Sequence, residues 1–469
     1  MAQKLSFCIH GHFYQPPRED PKTGEIPQEP GAAPFNDWNE RINAHCYHPN
    51  SKLGNFEYVS FNVGPTLQQW LVEHDPVTMA RIVEQDRANI INFGVGNAMA
   101  QPYNHTILPL AKKNDKITQI RWGVGDFIHF FGHKPEGMWL PEAAVDLETL
   151  DILAENGITF TILAPWQAET VPGFDSRKPY RVELSNGKEM TVFFYDGFLS
   201  SRVSFDPELT IDADRFIPEH LMPRFDRKNE FDQCITIASD GELYGHHQPF
   251  RDKFLQRLIH NAHYNQEIDI TYPALWLKHH KVSDTIRIQE FTSWSCHHGV
   301  KRWAETCPCT PHGEWKAPLR QTMDDLGEML EEVYLDTFKP LTRYPMELLH
   351  RYVHVLNGQV TVEELLSTFI SGNLTSSQVN KFALLLEAQY ERQRMFTSCG
   401  WFFDDFDRIE PRNNLAYAAH ACWLTYKATG IDLATKALSM LDHVQSWRSG
   451  LRASTVFAHR IEQESIAVA

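Results

Sequence analysis

The sequence predicts a parallel α/β barrel followed by an all-helical domain, and three observations predict it. Short apolar runs alternate with helical patterns from residue 4 to about residue 295. Polar and aromatic residues gather directly after those runs, where α/β barrels build their sites. Beyond about residue 315 strand signals become scarce and helical spacing takes over. A chain of 469 residues exceeds what one ordinary core supports, so division into 1–314 and 315–469 is expected.

In chain order, Leu5–Ile9, Asn89–Phe93, Gly137–Leu140, Thr159–Leu163, Thr191–Tyr195, Cys234–Ala238 and Ile286–Phe291 read as strands. These runs are continuous rather than alternating, as expected for strands buried on both faces. The Pro-rich stretch from Arg18 to Gly54 lacks periodicity and reads as an ordered excursion over the site. A helix starts at Asp75-Pro76, a cap residue followed by Pro at the first helical position. Another runs from about Asp146 to Asn156, with Leu147, Leu150 and Leu153 on one side, and stops at Gly157. In the later region Leu319, Met323, Leu326, Leu330 and Val333 follow helical spacing. Thr361 with Glu364, and Thr375 with Gln378, read as capping boxes.

Composition narrows the function. The formal net charge is −16 and there is no basic run, which disfavours nucleic acid and other polyanions. No apolar run reaches the roughly 18 residues that span a bilayer, and the apolar start is too short for a signal-peptide core. Eight Cys are spread along the chain without the look of a secreted disulfide scaffold. A soluble cytoplasmic protein with reduced thiols, acting on a neutral partner, is the expectation. Twelve Trp supply core, platforms for sugar rings, or both.

Two carboxylates stand at strand ends. Glu142 follows Gly137-Met-Trp-Leu-Pro, and Asp240 follows Ile237-Ala-Ser. Alone, Glu142 reads as a loop or helix-start residue, and Asp240-Gly241 as a turn. Together they suit glycoside cleavage, which needs one group at the anomeric carbon and another to protonate the leaving oxygen. His10 and His12 follow the first strand. They can bind a metal, donate to sugar hydroxyls, or hold Glu142 ionised. Cys296, Cys307 and Cys309 lie near His297, His298 and His312, but lack paired Cys-x-x-Cys units. That spacing favours buried reduced thiols over a zinc site.

On these residues the chain resembles glycoside hydrolase family 57. His10-Gly-His12-Phe-Tyr-Gln15-Pro16 is similar to its first motif and Phe61-Asn62-Val-Gly-Pro65 to its second. Met138-Trp139-Leu-Pro-Glu142 is similar to the third, and Ser239-Asp240-Gly-Glu242 to the fourth. The resemblance implies an irregular (β/α)7 barrel, a retaining mechanism on α-glucans, no cofactor or required metal, and a helical domain closing the site. It implies Glu142 as nucleophile and Asp240 as acid/base. The candidate substrate-binding residues are His10, His12, Gln15, Trp139, His246, Trp294, Trp401 and Asp404. Trp294 and the Trp401 stretch resemble a subgroup with an uncharacterised C-terminal region. Amylases, pullulanases, branching enzymes and 4-α-glucanotransferases all belong to the family. Two alternatives stay open: a metal-dependent glycosidase or polysaccharide deacetylase-like enzyme using His10, His12, Asp240 and His246, and a non-catalytic glycan-binding protein.

Overall fold

The computed structural model describes residues 5–169, 172–229 and 231–465. Its centre is β1 (Leu5–Phe13), buried at all nine positions. This strand pairs in parallel with β2 (Ser60–Val63) on one side and with β6 (Cys234–Asp240) on the other. From β2, isolated parallel bridges Phe61–Ala98, Ala100–Met138 and Gly137–Phe160 carry the pairing through short extended segments to β3 (Phe160–Leu163). β3 pairs in parallel with β5 (Glu189–Phe194), and a Tyr195–Thr236 bridge leads back to β6. The ring therefore closes through seven parallel segments. It is an irregular (β/α)7 barrel in which the segments at 98–100 and 137–138 make only single bridges. β4 (Tyr180–Glu183) is an antiparallel companion of β5 outside the ring, and β7 (Ile268–Thr271) pairs with Leu5–Cys8 of β1.

Two expected strands are not barrel strands. Asn89–Phe93 is the last turn of helix Pro76–Phe93. Its apolar run is too short for periodicity to separate helix from strand, and Ile91 and Phe93 face solvent. Ile286–Phe291 lies outside the ring. It belongs to a strap whose antiparallel bridges, Ala168–Ile288 and Val145–Thr292, reach segments that follow barrel strands. Two ring members, β2 and the 98–100 segment, were not in the expected set. The Ser60–Val63 run is four residues long, and Ala98-Met99-Ala100 carries small side chains with little hydrophobic signal.

Helix ends follow the local chemistry. Asp75 caps Pro76–Phe93 by accepting from Thr78 N. Asp146 caps Leu147–Glu155, and Gly157 takes a left-handed φ of 86° just past it. Both Thr361 and Thr375 form complete capping boxes with Glu364 and Gln378.

The chain folds as two compact units. One takes the chain up to Gln15, then Gln28–Pro102 and Phe127–Trp294, and contains the barrel. The other takes Pro16–Pro27, Tyr103–Asp126 and the chain from Ser295 onward. This second unit is helical, with long helices Lys316–Phe338, Ser376–Arg394 and Ile409–Thr429. Its core includes Trp122, Tyr334, Phe338, Leu366, Phe382 and Leu386. Buried Arg392 donates from Nη2 to Asp115 Oδ1 at 2.6 Å and from Nη1 to Oδ2 at 3.1 Å. Among the described residues, no helix is long and apolar enough to cross a membrane.

Candidate active site

Register sets the first part of the site. His10 stands opposite Ser60 and His12 opposite Asn62, so the imidazoles meet polar side chains on β2. His10 Nδ1 lies 2.9 Å from Ser60 Oγ, and His12 Nδ1 lies 3.1 Å from Asn62 Oδ1. Asn62 Nδ2 donates to Gln101 Oε1 at 2.7 Å, extending a polar belt around the barrel wall. With Asn62 Oδ1 as the acceptor, the proton of neutral His12 sits on Nδ1. Burial pushes His10 down to about 3, helped by His12, and pushes His12 down to about 4. Both rings are therefore uncharged near neutral pH.

Glu142 sits on a strained elbow. In the turn Pro141–Ala143 it has φ 56° and ψ 20°, and Ala143 follows with φ 48°. Non-glycine residues rarely occupy this left-handed region, and surrounding contacts must hold them there. Trp294 N donates to Glu142 O at 2.9 Å and Val145 N to Thr292 O at 3.1 Å, tying the elbow to the strap. Buried Gln167 donates from Nε2 to Ala143 O at 2.7 Å. The carboxylate is then aimed by Trp294, whose Nε1 donates to Glu142 Oε2 at 3.0 Å.

Asp240 ends β6 beside His12, its register partner on β1. A contiguous path joins it to Glu142. The ring of His12 stacks on Trp139 at 5.3 Å, Trp139 meets Trp294 edge-on at 5.0 Å, and Trp294 holds Glu142. Densely packed protein around Asp240 raises its carboxyl to about 6. The residue as a whole is nonetheless exposed. Solvent at an exposed carboxyl tempers the shift, so its direction, toward the protonated form, is the part that matters for chemistry.

Glu242, two residues on, belongs to the Ser239–Glu242 motif and lies beside Asp240. It is buried, and its Oε1 accepts from Tyr47 Oη at 2.7 Å and from Tyr14 N at 3.1 Å. Burial, then the charge of Asp240, raises it to about 8. The influence runs one way because Asp240 ionises first, while Glu242 is still neutral. A neutral Glu242 spares the site a second negative charge.

The remaining candidates divide by place. His10 and Trp139 are stacked at 4.6 Å and fully buried. Gln15 is buried, and its carbonyl accepts from Thr66 Oγ1 at 2.5 Å. His246 packs against Trp38 and His45, with ring centroids at 5.9 and 6.2 Å. Burial, His247, His45 and Arg41 push it down to about 4. Trp401 is buried within the helical unit, stacked with Trp315 at 6.5 Å. Asp404 pairs there with Arg448 Nη2 at 2.5 Å. Trp166, exposed after β3, was not among the candidates. It packs edge-on against Tyr195 at 5.9 Å and donates to Ser293 O at 3.0 Å. Its position directly after a strand was the available signal.

The model of "Glycosyl hydrolase family 57" matches residues 43–289, and that of a "Domain of unknown function (DUF3536)" matches residues 312–469. No curated protein sequence matches the chain. Among solved structures, it is similar to an exo-type maltose-forming amylase from Pyrococcus sp. ST04. The TM-score is 0.76 at 15% identity, over 97% of this chain and 88% of that one. A family 57 branching enzyme from Pyrococcus horikoshii aligns with a TM-score of 0.64 at 14% identity, covering 100% and 97% of the two chains. A 4-α-glucanotransferase from Thermococcus litoralis aligns with a TM-score of 0.59 at 16% identity, covering 90% of this chain and 60% of that one. With a family match over more than half its length and a seven-segment barrel carrying the motif residues, this chain belongs to glycosyl hydrolase family 57.

Proposed function

We propose that the protein is a retaining glycoside hydrolase or glucanotransferase acting on α-glucans, with Glu142 as nucleophile and Asp240 as acid/base. The observation that carries this reading is the path from Asp240 through His12, Trp139 and Trp294 to Glu142. At one end the carboxyl tends toward its protonated form; at the other a carboxylate is oriented by an indole N–H. In the first step Glu142 attacks the anomeric carbon, the glycosidic C–O bond breaks, and Asp240 gives its proton to the leaving oxygen. Asp240, now ionised, takes a proton from water or from a sugar hydroxyl. The new oxygen displaces Glu142 from the anomeric carbon, giving hydrolysis or transfer. The α-glucan substrate class is supported by the family and by the amylase, branching enzyme and glucanotransferase of similar fold. Buried thiols such as Cys8, Cys46 and Cys234 support a reducing, cytoplasmic setting.

The test is a product profile on amylose, maltooligosaccharides and glycogen. Wild type should shorten or redistribute chains, with the α-anomer formed first by proton NMR. Glu142→Ala should be inactive, and azide should restore turnover as a β-glycosyl azide. Full activity of Glu142→Ala, first release of the β-anomer, or a wild type inert on all three glucans would overturn the proposal.

A further inference from the structure

Three cysteines and a histidine, unremarkable by spacing, converge in the segment after the barrel. Cys296, His298, Cys307 and Cys309 each offer one ligand atom, and these four atoms all lie within 4.8 Å of one another. Cys296 Sγ is 3.5 Å from Cys307 Sγ. His298 Nδ1 is 3.9 Å from Cys296 Sγ, 3.5 Å from Cys307 Sγ and 3.3 Å from Cys309 Sγ. A tetrahedral zinc ion has Zn–S bonds of about 2.3 Å and Zn–N bonds of about 2.0–2.1 Å. Those lengths put S···S edges at about 3.8 Å and S···N edges at about 3.6 Å. The four measured edges scatter around these values, and the two S···S edges to Cys309 are within 4.8 Å, so the four atoms fit around a zinc-sized centre.

The backbone is built to present them. Both ligand pairs ride on tight turns: Gly299 N donates to Cys296 O at 3.1 Å, and Thr310 N donates to Cys307 O at 2.8 Å. Between Ser295 and Lys316 regular structure is limited to the single turns Lys301–Trp303 and Gly313–Trp315. A long irregular segment of this kind gains much from a crosslink that closes it. Cys296 and Cys307 are buried, Cys309 is half-buried and His298 is exposed, so the ion would be seated on sulfur and reached from the imidazole side. Four protein ligands leave no open position, which is the pattern of a structural rather than a catalytic site.

We propose that Cys296, His298, Cys307 and Cys309 bind one structural zinc ion that organises residues 295–315. The three thiols bind as thiolates, releasing three protons, and His298 binds through Nδ1 as the neutral ring. The site stands apart from the glycosidase reading, because none of its ligands is assigned a part in that chemistry.

Elemental analysis of the tag-free, full-length protein, purified without chelator or added metal, should find one zinc per chain. Cys307→Ser/Cys309→Ser should reduce this to none. Should that variant fail to fold, wild type exchanged into Co(II) is the second measurement. It should show the intense visible bands of tetrahedral cobalt together with thiolate-to-cobalt charge transfer. Three results overturn the site: metal-poor wild type with all eight thiols titratable, a Cys296–Cys307 disulfide in peptide mass spectra, or zinc retained undiminished by the double variant. Glucan turnover measured on the same samples keeps the two proposals separate, since zinc content is scored whether or not the barrel is active.

Discussion

A carboxyl that donates a proton works only while it holds one. The protein around Asp240 raises it above the ordinary carboxylate range, toward about 6 less what solvent at this exposed residue takes back, so the first chemical step should weaken as pH rises through that interval. The kcat/KM profile on a maltooligosaccharide should therefore show a basic limb above the free-carboxyl range and no higher than about pH 6, which a pH-rate series checks. Asp240→Asn should lose about 10²–10⁴-fold on that substrate. It should retain far more on an α-glycosyl fluoride, whose leaving group needs no acid. Glu242 gives a second residue-scale test. Its folded value, about 8, lies above that of a free carboxyl. Its contribution to stability is thus complete below the unfolded pKa and is lost as pH rises through about 8. Glu242→Gln keeps an acceptor for Tyr47 and Tyr14 N while removing the charge. Its thermal midpoint should match wild type near pH 5 and exceed it by a few degrees near pH 9, measurable by calorimetry.

At the scale of elements, the tight places are where backbone meets ring or backbone. A Cβ on Gly241 would fall 2.3 Å from Phe13 Cδ1 and 2.5 Å from Phe13 Cγ. Phe13 is itself wedged against Phe56 at 4.9 Å and Tyr47 at 6.1 Å, so the ring has nowhere to go. The Asp240-Gly241 pair, which reads in sequence as a turn, is a close-packing requirement at the end of β6. Gly241→Ala should cost about 1–3 kcal/mol by overpacking and shift Asp240 enough to depress turnover. Phe13→Leu added to it should recover part of the stability in urea titrations, because the clash and its relief share one pair of side chains. The strand-end carboxylates and the His10 and His12 positions were legible because strong apolar runs precede them. The Glu142 elbow was not. Its φ of 56° and its hold by Trp294 and Gln167 depend on a strap that comes to it from residues 288–294, and no local pattern announces such a meeting.

Across the whole molecule, the same division holds between what a sequence window sees and what tertiary pairing makes. β1, β3, β5 and β6 are visible as apolar runs. The closure of the ring rests on single bridges at Phe61–Ala98, Ala100–Met138, Gly137–Phe160 and Tyr195–Thr236, and the small side chains of Ala98 and Ala100 look like loop. The Cys–His cluster is legible in sequence as residues but not as a site, for a related reason: its members sit as two short pairs on separate turns, without the paired Cys-x-x-Cys spacing that announces zinc. The pH dependence of stability is likewise a property of all buried groups together. Asp240, Glu242, Asp126 and His420 are raised, to about 6, 8, 8 and 9, so the folded chain holds protons the unfolded chain has released. The stability from each is lost as pH rises through those values. His10, His12, His246 and His350 are lowered, to about 3, 4, 4 and 4. They take protons more readily when unfolded, so stability falls as pH drops below the unfolded histidine value of about 6.5. Lys316, lowered to about 7, opposes the alkaline loss but is one group against several. The two slopes meet between them. Thermal unfolding followed by calorimetry from pH 4 to 9 should peak near pH 6 to 6.5 and fall on both sides. On the alkaline side the fall should shrink in Glu242→Gln, which lacks one of the raised carboxyls. A midpoint that climbs steadily to pH 9 would mean that these carboxyls ionise freely in the folded protein, and that the burial of Glu242 and Asp126 does not hold their protons.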